Sequence, residues 1–569
     1  MSTSKFAKVI AIGLALALMP SAQAADGATV AWLRDGKVEV RALATIEVNS
    51  DTPADKTLPK VPLGSLWKLF VFSYLTQTHA VEPAYVCTAT GNMQSSEERY
   101  CCDPGESITR GPALARSCAP YFSAERLGIT PNTWRTHWQA RSNAPWLLDI
   151  RQLKPETEVD VIELLQALAA IPVAARAEAR AALLQTGTEG YGRAAWPSLG
   201  SGIRYKTYSW HRADGSAFGG AAGWLVDGTP FWFGGRGSSK TALADWATQL
   251  AATLPPPRWH DVTSATGDAS CVDVDFFARY LLRAVWQGNS RTAAKAGDMQ
   301  GAYRLEFANG NWLRIVTHGE LSVAIDANDA LHVPTINGRL TINDYVARVI
   351  DREGSANPTQ AARALAIAAR SYLFQNAQFE SGCWHIADSS QTQRVSPNTP
   401  TDAALAAAWF TDDMVMTGVA VHYHNDLAAP NRLVWREAVS HADADWNFER
   451  ILSSAFPHAE IATVDGHAEC RRLDAAETWL THAIANWRTR LDREPGFEAL
   501  PQPPSICALN DGHPYSDQRR LRIFVRGWRS LDERLTLAHE YLHLALRFHP
   551  NGADETYIER LARQLIEQS

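Results

Sequence analysis

The sequence predicts a mixed α+β protein of several domains. Three observations carry this. At 569 residues the chain exceeds what one hydrophobic core serves. Short alternating apolar segments and longer segments of helical period follow one another along it. Two proline-rich stretches, Leu254-Pro255-Pro256-Pro257 and Leu500-Pro501-Gln502-Pro503-Pro504, punctuate it. A composition of 46% hydrophobic and 20% charged residues is that of an ordinary globular protein, and a net charge of -7 gives no reason to expect nucleic acid. Most of the 20 Trp must pack cores, and any exposed Trp can stack on sugar rings.

The first 24 residues read as a secretory signal peptide. Lys5 and Lys8 precede a short apolar run, then Pro20 and the A-x-A site Ser21-Ala22-Gln23-Ala24. The mature chain is therefore expected in the periplasm, beginning near Ala25. No later stretch is long and apolar enough to span a membrane. Export and an even count of 8 Cys favour disulfides. Cys87, Cys101, Cys102 and Cys118 are expected to make two bridges of open pairing. Cys470 with Cys507, and Cys271 with Cys383, are the other expected pairs.

The first domain is expected over 25–254. Residues 29–33 and 38–40 alternate as strands. Ser65 and Lys68 form S-x-x-K at a helix start, three residues apart on one face. A lysine that loses its proton in a dry pocket can act as base for that hydroxyl; otherwise Ser65 is a helix N-cap. Gly64-Ser65-Leu66-Trp67-Lys68, Ser117 with Cys118 and Ala119, and Lys206-Thr207-Tyr208 follow in the order of three motifs. The region resembles the penicillin-recognising serine enzymes. That implies a penicillin-binding-protein-like α/β sandwich whose acyl-transfer site is Ser65, Lys68, Ser117 and Lys206. Ala119 replaces the usual Asn of the second motif, and Tyr208 replaces the Gly of the third. The site is then either active or a relic that binds wall peptide or nothing.

A linker is expected over 255–268 and a second domain over 269–465. The latter opens with a helix predicted over 273–286, then strands at 302–307 and 312–317. The segment 340–373 carries Glu353 at the end of one helix, and Arg370 on the next is expected to face it. Asp388 and Gln393 follow, then an Ala-rich helix at 401–409 and a strand hairpin over 414–424. The pattern Asp344-Tyr345, Glu353, Ala368-Ala369-Arg370-Ser371-Tyr372, Asp388 and Gln393 resembles the SpoIID family of peptidoglycan lytic transglycosylases. That implies Glu353 as catalytic acid/base, with Arg370, Asp388 and Gln393 lining or supporting the site. One departure is the short Gly-Ser-Ala-Asn-Pro segment after the glutamate. Glycoside hydrolysis usually needs two carboxylates; a lytic transglycosylase needs one, because the substrate's own 6-hydroxyl attacks.

The third domain is expected over 466–569, with helices at 474–491, 531–548 and 554–565 and a strand at 521–525. His539-Glu540-Tyr541-Leu542-His543 puts two His one helical turn apart, with Glu540 placed to deprotonate a metal-bound water. The region resembles the zincin metallopeptidases, which implies zinc and a small α+β domain. A hairpin of helices about Asn551 would set Glu559 opposite His543 as third ligand. His549, Glu555 and Asp554 are the alternatives.

Three modules resembling unrelated wall or peptide enzymes share one economical partner: peptidoglycan, its glycan and its stem peptide. The expected function is wall remodelling, with Glu353 cutting the MurNAc–GlcNAc bond and the zinc module cutting a peptide in the wall or in a protein. The alternatives are a periplasmic zinc protease whose upstream modules only bind wall, and a non-catalytic scaffold or amidase enhancer.

Overall fold

The computed structural model describes residues 27–43, 60–90, 95, 98, 101–188, 190–211, 215–266, 270–288, 293–325, 333–424, 432–457, 459–463, 472–509, 514–518, 521–552 and 554–567. The signal-peptide expectation lies outside them. The architecture is mixed α+β in several parts, and no helix among the described residues is long and apolar enough to cross a membrane.

The first part is built on a five-stranded antiparallel sheet. Its strand order is Lys37–Leu43, Ala28–Arg34, Pro230–Arg236, Ala217–Trp224, Arg204–His211. Strand alternation splits its side chains between two cores. Ala221, Phe231 and Phe233 face helix Ser239–Thr253, while Ala222, Trp224 and Trp232 join the core of helices Trp67–Thr78 and Val161–Ala169. Two disulfides, Cys87–Cys102 and Cys101–Cys118, settle the pairing left open by the sequence.

The second part holds a seven-stranded sheet in the order Leu282–Gln287, Gly297–Phe307, Trp312–Ile325, Pro334–Leu340, Val272–Phe276, Cys383–Ala387, Gln378–Glu380. Only Val272–Phe276 with Cys383–Ala387 is a parallel pair in this sheet, and the expected disulfide Cys271–Cys383 closes it at one end. The helix expected over 273–286 is instead two strands. Its apolar residues at 272, 274 and 276 alternate, and that period of two decides. The hairpin expected over 414–424 is also corrected: Met414–Thr417 pairs with Glu460–Thr463, and His422–His424 pairs with Arg432–Val434. Helix Trp259–Thr266 occupies the stretch expected as linker.

The first and second parts are clasped together. Ser201 donates its N–H to the Phe410 carbonyl at 2.8 Å. A Cβ on Gly200 or Gly202 would fall 2.5 or 2.4 Å from the carbonyl oxygens of Phe410 and Trp409, so only glycine admits this approach. Arg204 donates to Asp412 at 2.7 Å, Arg180 lies 3.6 Å from the same carboxylate, and Asn343 donates to it at 2.6 Å.

The third part is a three-stranded sheet, Ser505–Ala508, Arg522–Val525, Tyr515–Asp517, beneath helices Asp474–Leu491, Leu531–Ala545 and Glu555–Glu567. The first of these helices has the bounds the sequence predicts. A capping box, Ser530 with Glu533, starts the second. Cys507 is disulfide-bonded; its expected partner Cys470 lies outside the described residues.

Candidate functional sites

Helix Ile342–Glu353 ends on Glu353. Its start is capped by Thr341, and Tyr345, Val346, Val349 and Ile350 lock one face into the core. Gly354 follows because a Cβ there would lie 2.6 Å from Leu365 and 3.2 Å from Trp435. The glutamate therefore stands half-buried at a rigid corner.

Its carboxylate is held by the backbone N–H of Arg394 at 2.7 Å and by the Tyr423 hydroxyl. Burial raises the carboxyl above the ordinary range against these two hydrogen bonds. Gln393 organises the partner: its amide donates to the Tyr423 oxygen at 2.7 Å and to the Ala369 carbonyl at 3.0 Å, and it accepts from Tyr345 at 2.5 Å. Tyr423 thus has one oxygen engaged by Gln393 and its proton directed at Glu353. Asp388 is close enough to act electrostatically on Glu353, but both its oxygens accept backbone N–H groups, from Val395 at 3.0 Å and Phe277 at 3.3 Å.

Arg370 is the correction here. It is fully buried and donates to the carbonyls of Thr411, Met414 and Ala408 and to Asn343. It points away from Glu353 because four fixed acceptors, three of them on the end of helix Asp402–Phe410 and the turn after it, engage both of its terminal nitrogens. The basic residue beside Glu353 is Arg394. Tyr423, Tyr345 and Arg394 received no role from the sequence, although Tyr345 lies in the stretch that carries the SpoIID resemblance.

In the first part, Lys68 Nζ donates to Ser65 Oγ and Ser117 Oγ at 3.1 Å each. Ser117 adopts a left-handed backbone, φ 64°, that aims it at the lysine. Lys206 is fully buried, and burial followed by the Lys68 charge pushes its pKa well down. All four expected residues come together. Tyr208, however, is buried and packs on Gly64: a Cβ built on Gly64 would meet Tyr208 Cβ at 3.1 Å and the Ser209 carbonyl at 3.3 Å. Strand Arg204–His211 therefore lies directly against the turn bearing Ser65.

In the third part, His539 Nε2 lies 3.1 Å from His543 Nε2 and 3.0 Å from Glu555, and His543 Nε2 lies 3.5 Å from Glu555. The other ring nitrogens have partners: His543 Nδ1 meets the Gly552 carbonyl at 3.1 Å, and His539 Nδ1 meets Glu559 at 3.2 Å. A carbonyl only accepts, so His543 carries its proton on Nδ1 and presents a lone pair on Nε2; a carboxylate orients His539 in the same way. Two lone pairs and a carboxylate oxygen converge, a donor set that fits a divalent cation such as zinc.

The geometry brings Glu555 to the two converging Nε2 atoms, while Glu559 meets His539 from its Nδ1 side. The pairs His543–Glu555 and His539–Glu559 are both centred on His549, not on Asn551. The reason is that helix Leu531–Ala545 stops early, so the turn closes sooner. His549 faces elsewhere, accepting from Asn551 N–H at 2.9 Å and stacking on Tyr557. Asp554 caps the last helix through Thr556 and Tyr557 N–H. Glu540 is buried beside the pair.

Comparison with known proteins follows this division. Residues 93–216 and 431–551 match the family described as predicted secreted protein (DUF2300), and residues 333–417 match SpoIID, the stage II sporulation protein family. The chain is 41% identical over 508 residues, 89% of either chain, to the uncharacterized protein YfaQ of Escherichia coli (strain K12). The chain belongs to the YfaQ family. Like the family described for its flanking segments, it is a secreted protein. This chain thus joins the secreted-protein segments to a SpoIID segment that contains Glu353. Among solved structures, similarity is found to the transpeptidase domain of FtsI4 D,D-transpeptidase from Legionella pneumophila (13% identity, 40% of this chain, 90% of that one, TM-score 0.27). A β-lactamase from Desulfarculus baarsii DSM 2075 gives 15%, 40%, 91% and 0.26.

Proposed function

We propose that the protein is a periplasmic peptidoglycan-remodelling enzyme whose central centre is a lytic transglycosylase. The observation that carries this is the state of Glu353: half-buried, raised by that burial, and beside a second carboxylate whose oxygens are both occupied. One acid without a free partner suits a reaction that needs one. Glu353 donates its proton to the glycosidic oxygen as the bond to C1 of the MurNAc ring breaks. It then takes the proton of that sugar's 6-hydroxyl as the oxygen bonds C1. No water is consumed, and the product is a 1,6-anhydro sugar. Tyr423 and the Arg394 N–H stabilise the carboxylate between the two transfers. Digestion of purified sacculi followed by mass spectrometry tests this. Anhydro-muropeptides formed by the wild type and lost in Glu353→Gln support it; their absence from the wild type, or persistence in the variant, overturns it.

The convergence at His539, His543 and Glu555 favours a second activity, cleavage of a peptide. Those three residues would hold a zinc ion, with Glu559 orienting His539. Zinc bound there would polarise the scissile carbonyl and a water molecule. Glu540 takes the proton of the attacking water and returns it to the leaving amine, so one water adds across the amide. Casein or wall peptide cleavage that Glu540→Gln abolishes supports this reading. A purified protein that neither carries nor takes up zinc counts against it.

A further inference from the structure

The His539–His543 centre opens on a cleft whose far wall belongs to the part that carries Glu353; Glu353 itself does not line it. A cavity of about 680 Å³ lies between the second and third parts. One wall is His539, Glu540 and His543; the other is Tyr372, Gln391 and Thr392, from the part that carries Glu353. Tyr372 joins the two sites. It is near enough to Glu353 for that carboxylate to help raise its hydroxyl to about 12, after burial, and its ring meets Tyr423 edge-on at 6.1 Å. Thr392 immediately precedes Gln393, the residue that orients Tyr423.

The walls are fixed relative to one another. Phe379 N–H donates to Gln518 at 3.0 Å across the junction, and the Tyr515 hydroxyl is buried there against Thr417 and Gly418. The cleft is therefore part of the folded chain, and its central-domain wall is rich in amide and hydroxyl side chains. A site for unfolded protein would expose apolar pockets for side chains. This one offers polar groups on the side that leads to Glu353.

We infer that the His539–His543 centre takes as substrate a peptide still carried on a glycan, with the sugar end lying along the Gln391–Thr392 wall toward Glu353. The inference rests on the two-centre reading above and adds its substrate class: glycan-linked peptide, in preference to free peptide or protein. Joining two modestly held pieces in one molecule makes the second contact intramolecular, so the joined ligand binds far more tightly than either piece.

The test uses the full chain, zinc-loaded, as the Glu353→Gln/Glu540→Gln double variant, so that neither bond is cut. Titration calorimetry compares three probes: a disaccharide-tetrapeptide, the same tetrapeptide free, and the peptide-free disaccharide. The expected result is at least about tenfold tighter binding of the joined probe than of either piece. Gln391→Ala, which truncates an exposed wall residue outside both centres, should reduce that gain and leave free-peptide affinity unchanged. Equal affinity for joined and free peptide, or a gain untouched by Gln391→Ala, overturns the inference. Failure of the peptidase reading is seen separately, as absence of peptide release from every substrate by the wild-type chain.

Discussion

The Tyr423 hydroxyl is hydrogen-bonded to Glu353 while its oxygen accepts from Gln393 at 2.7 Å. Its proton is therefore committed to the carboxylate, and it pulls the Glu353 pKa down against the burial that lifts it. A general acid works in its protonated form, so the rate falls as pH rises through the raised pKa. Tyr423→Phe removes a lowering contribution. The descending limb of the pH–rate profile for anhydro-muropeptide release should move to higher pH, a result that initial rates across pH will show. Glu353→Gln should cost about 100- to 10,000-fold in rate.

The same burial has a cost in stability. A carboxyl raised in the fold favours the protonated form, so its contribution is present below the unfolded pKa and lost as pH rises through the folded one. Glu353→Gln cannot ionise. Its melting temperature should exceed that of the wild type at about pH 8 and match it at about pH 4. Equal melting at both values would contradict the burial of Glu353.

Metal analysis separates Glu555 from Glu559. The purified protein should bind one zinc. His539→Ala, His543→Ala and Glu555→Ala should lose it on dialysis. Glu559→Ala should retain the stoichiometry with roughly 10-fold weaker affinity, since it would remove only the group that orients His539. The reverse ranking of the two glutamates would assign the ligand to Glu559.

Asp412 is shared by Arg204, Arg180 and Asn343. Asp412→Ala leaves Arg204, 2% exposed, with only the more exposed Asp413, 3.3 Å away, as its charge partner. The expected loss is about 1.5–3 kcal/mol, read by chemical denaturation. Limited proteolysis should then cut between the first and second parts sooner than in the wild type.

Ser65, Lys68, Ser117 and Lys206 are assembled, yet Tyr208 packs against the turn that bears Ser65. A fluorescent penicillin should label the wild type weakly or not at all. Tyr208→Gly should label more strongly, and Ser65→Ala in that background should abolish the label. Strong labelling of the wild type would show that Tyr208 closes nothing.

Local pattern made much of this legible. The Glu353 helix, the Ala-rich helix after it and the S-x-x-K turn depend on contacts within a few residues, and each lies where its sequence places it. The failures have non-local causes. The sequence pairs Arg370 with Glu353 because the two helices are consecutive. Its donors are instead claimed by carbonyls from Ala408 to Met414, a turn that sequence spacing cannot bring to it. Glu559 follows from counting about an assumed hairpin centre, and a turn closing two residues earlier moves Glu555 into that position. Strand 272–276 reads as helix in sequence because its alternating signal is short.

The Asp412 carboxylate lies within the SpoIID match, residues 333–417, and both arginines lie within the secreted-protein match that flanks it. Deleting either segment would remove the counterions of charges left in the other, so the two segments are electrostatically matched at this junction.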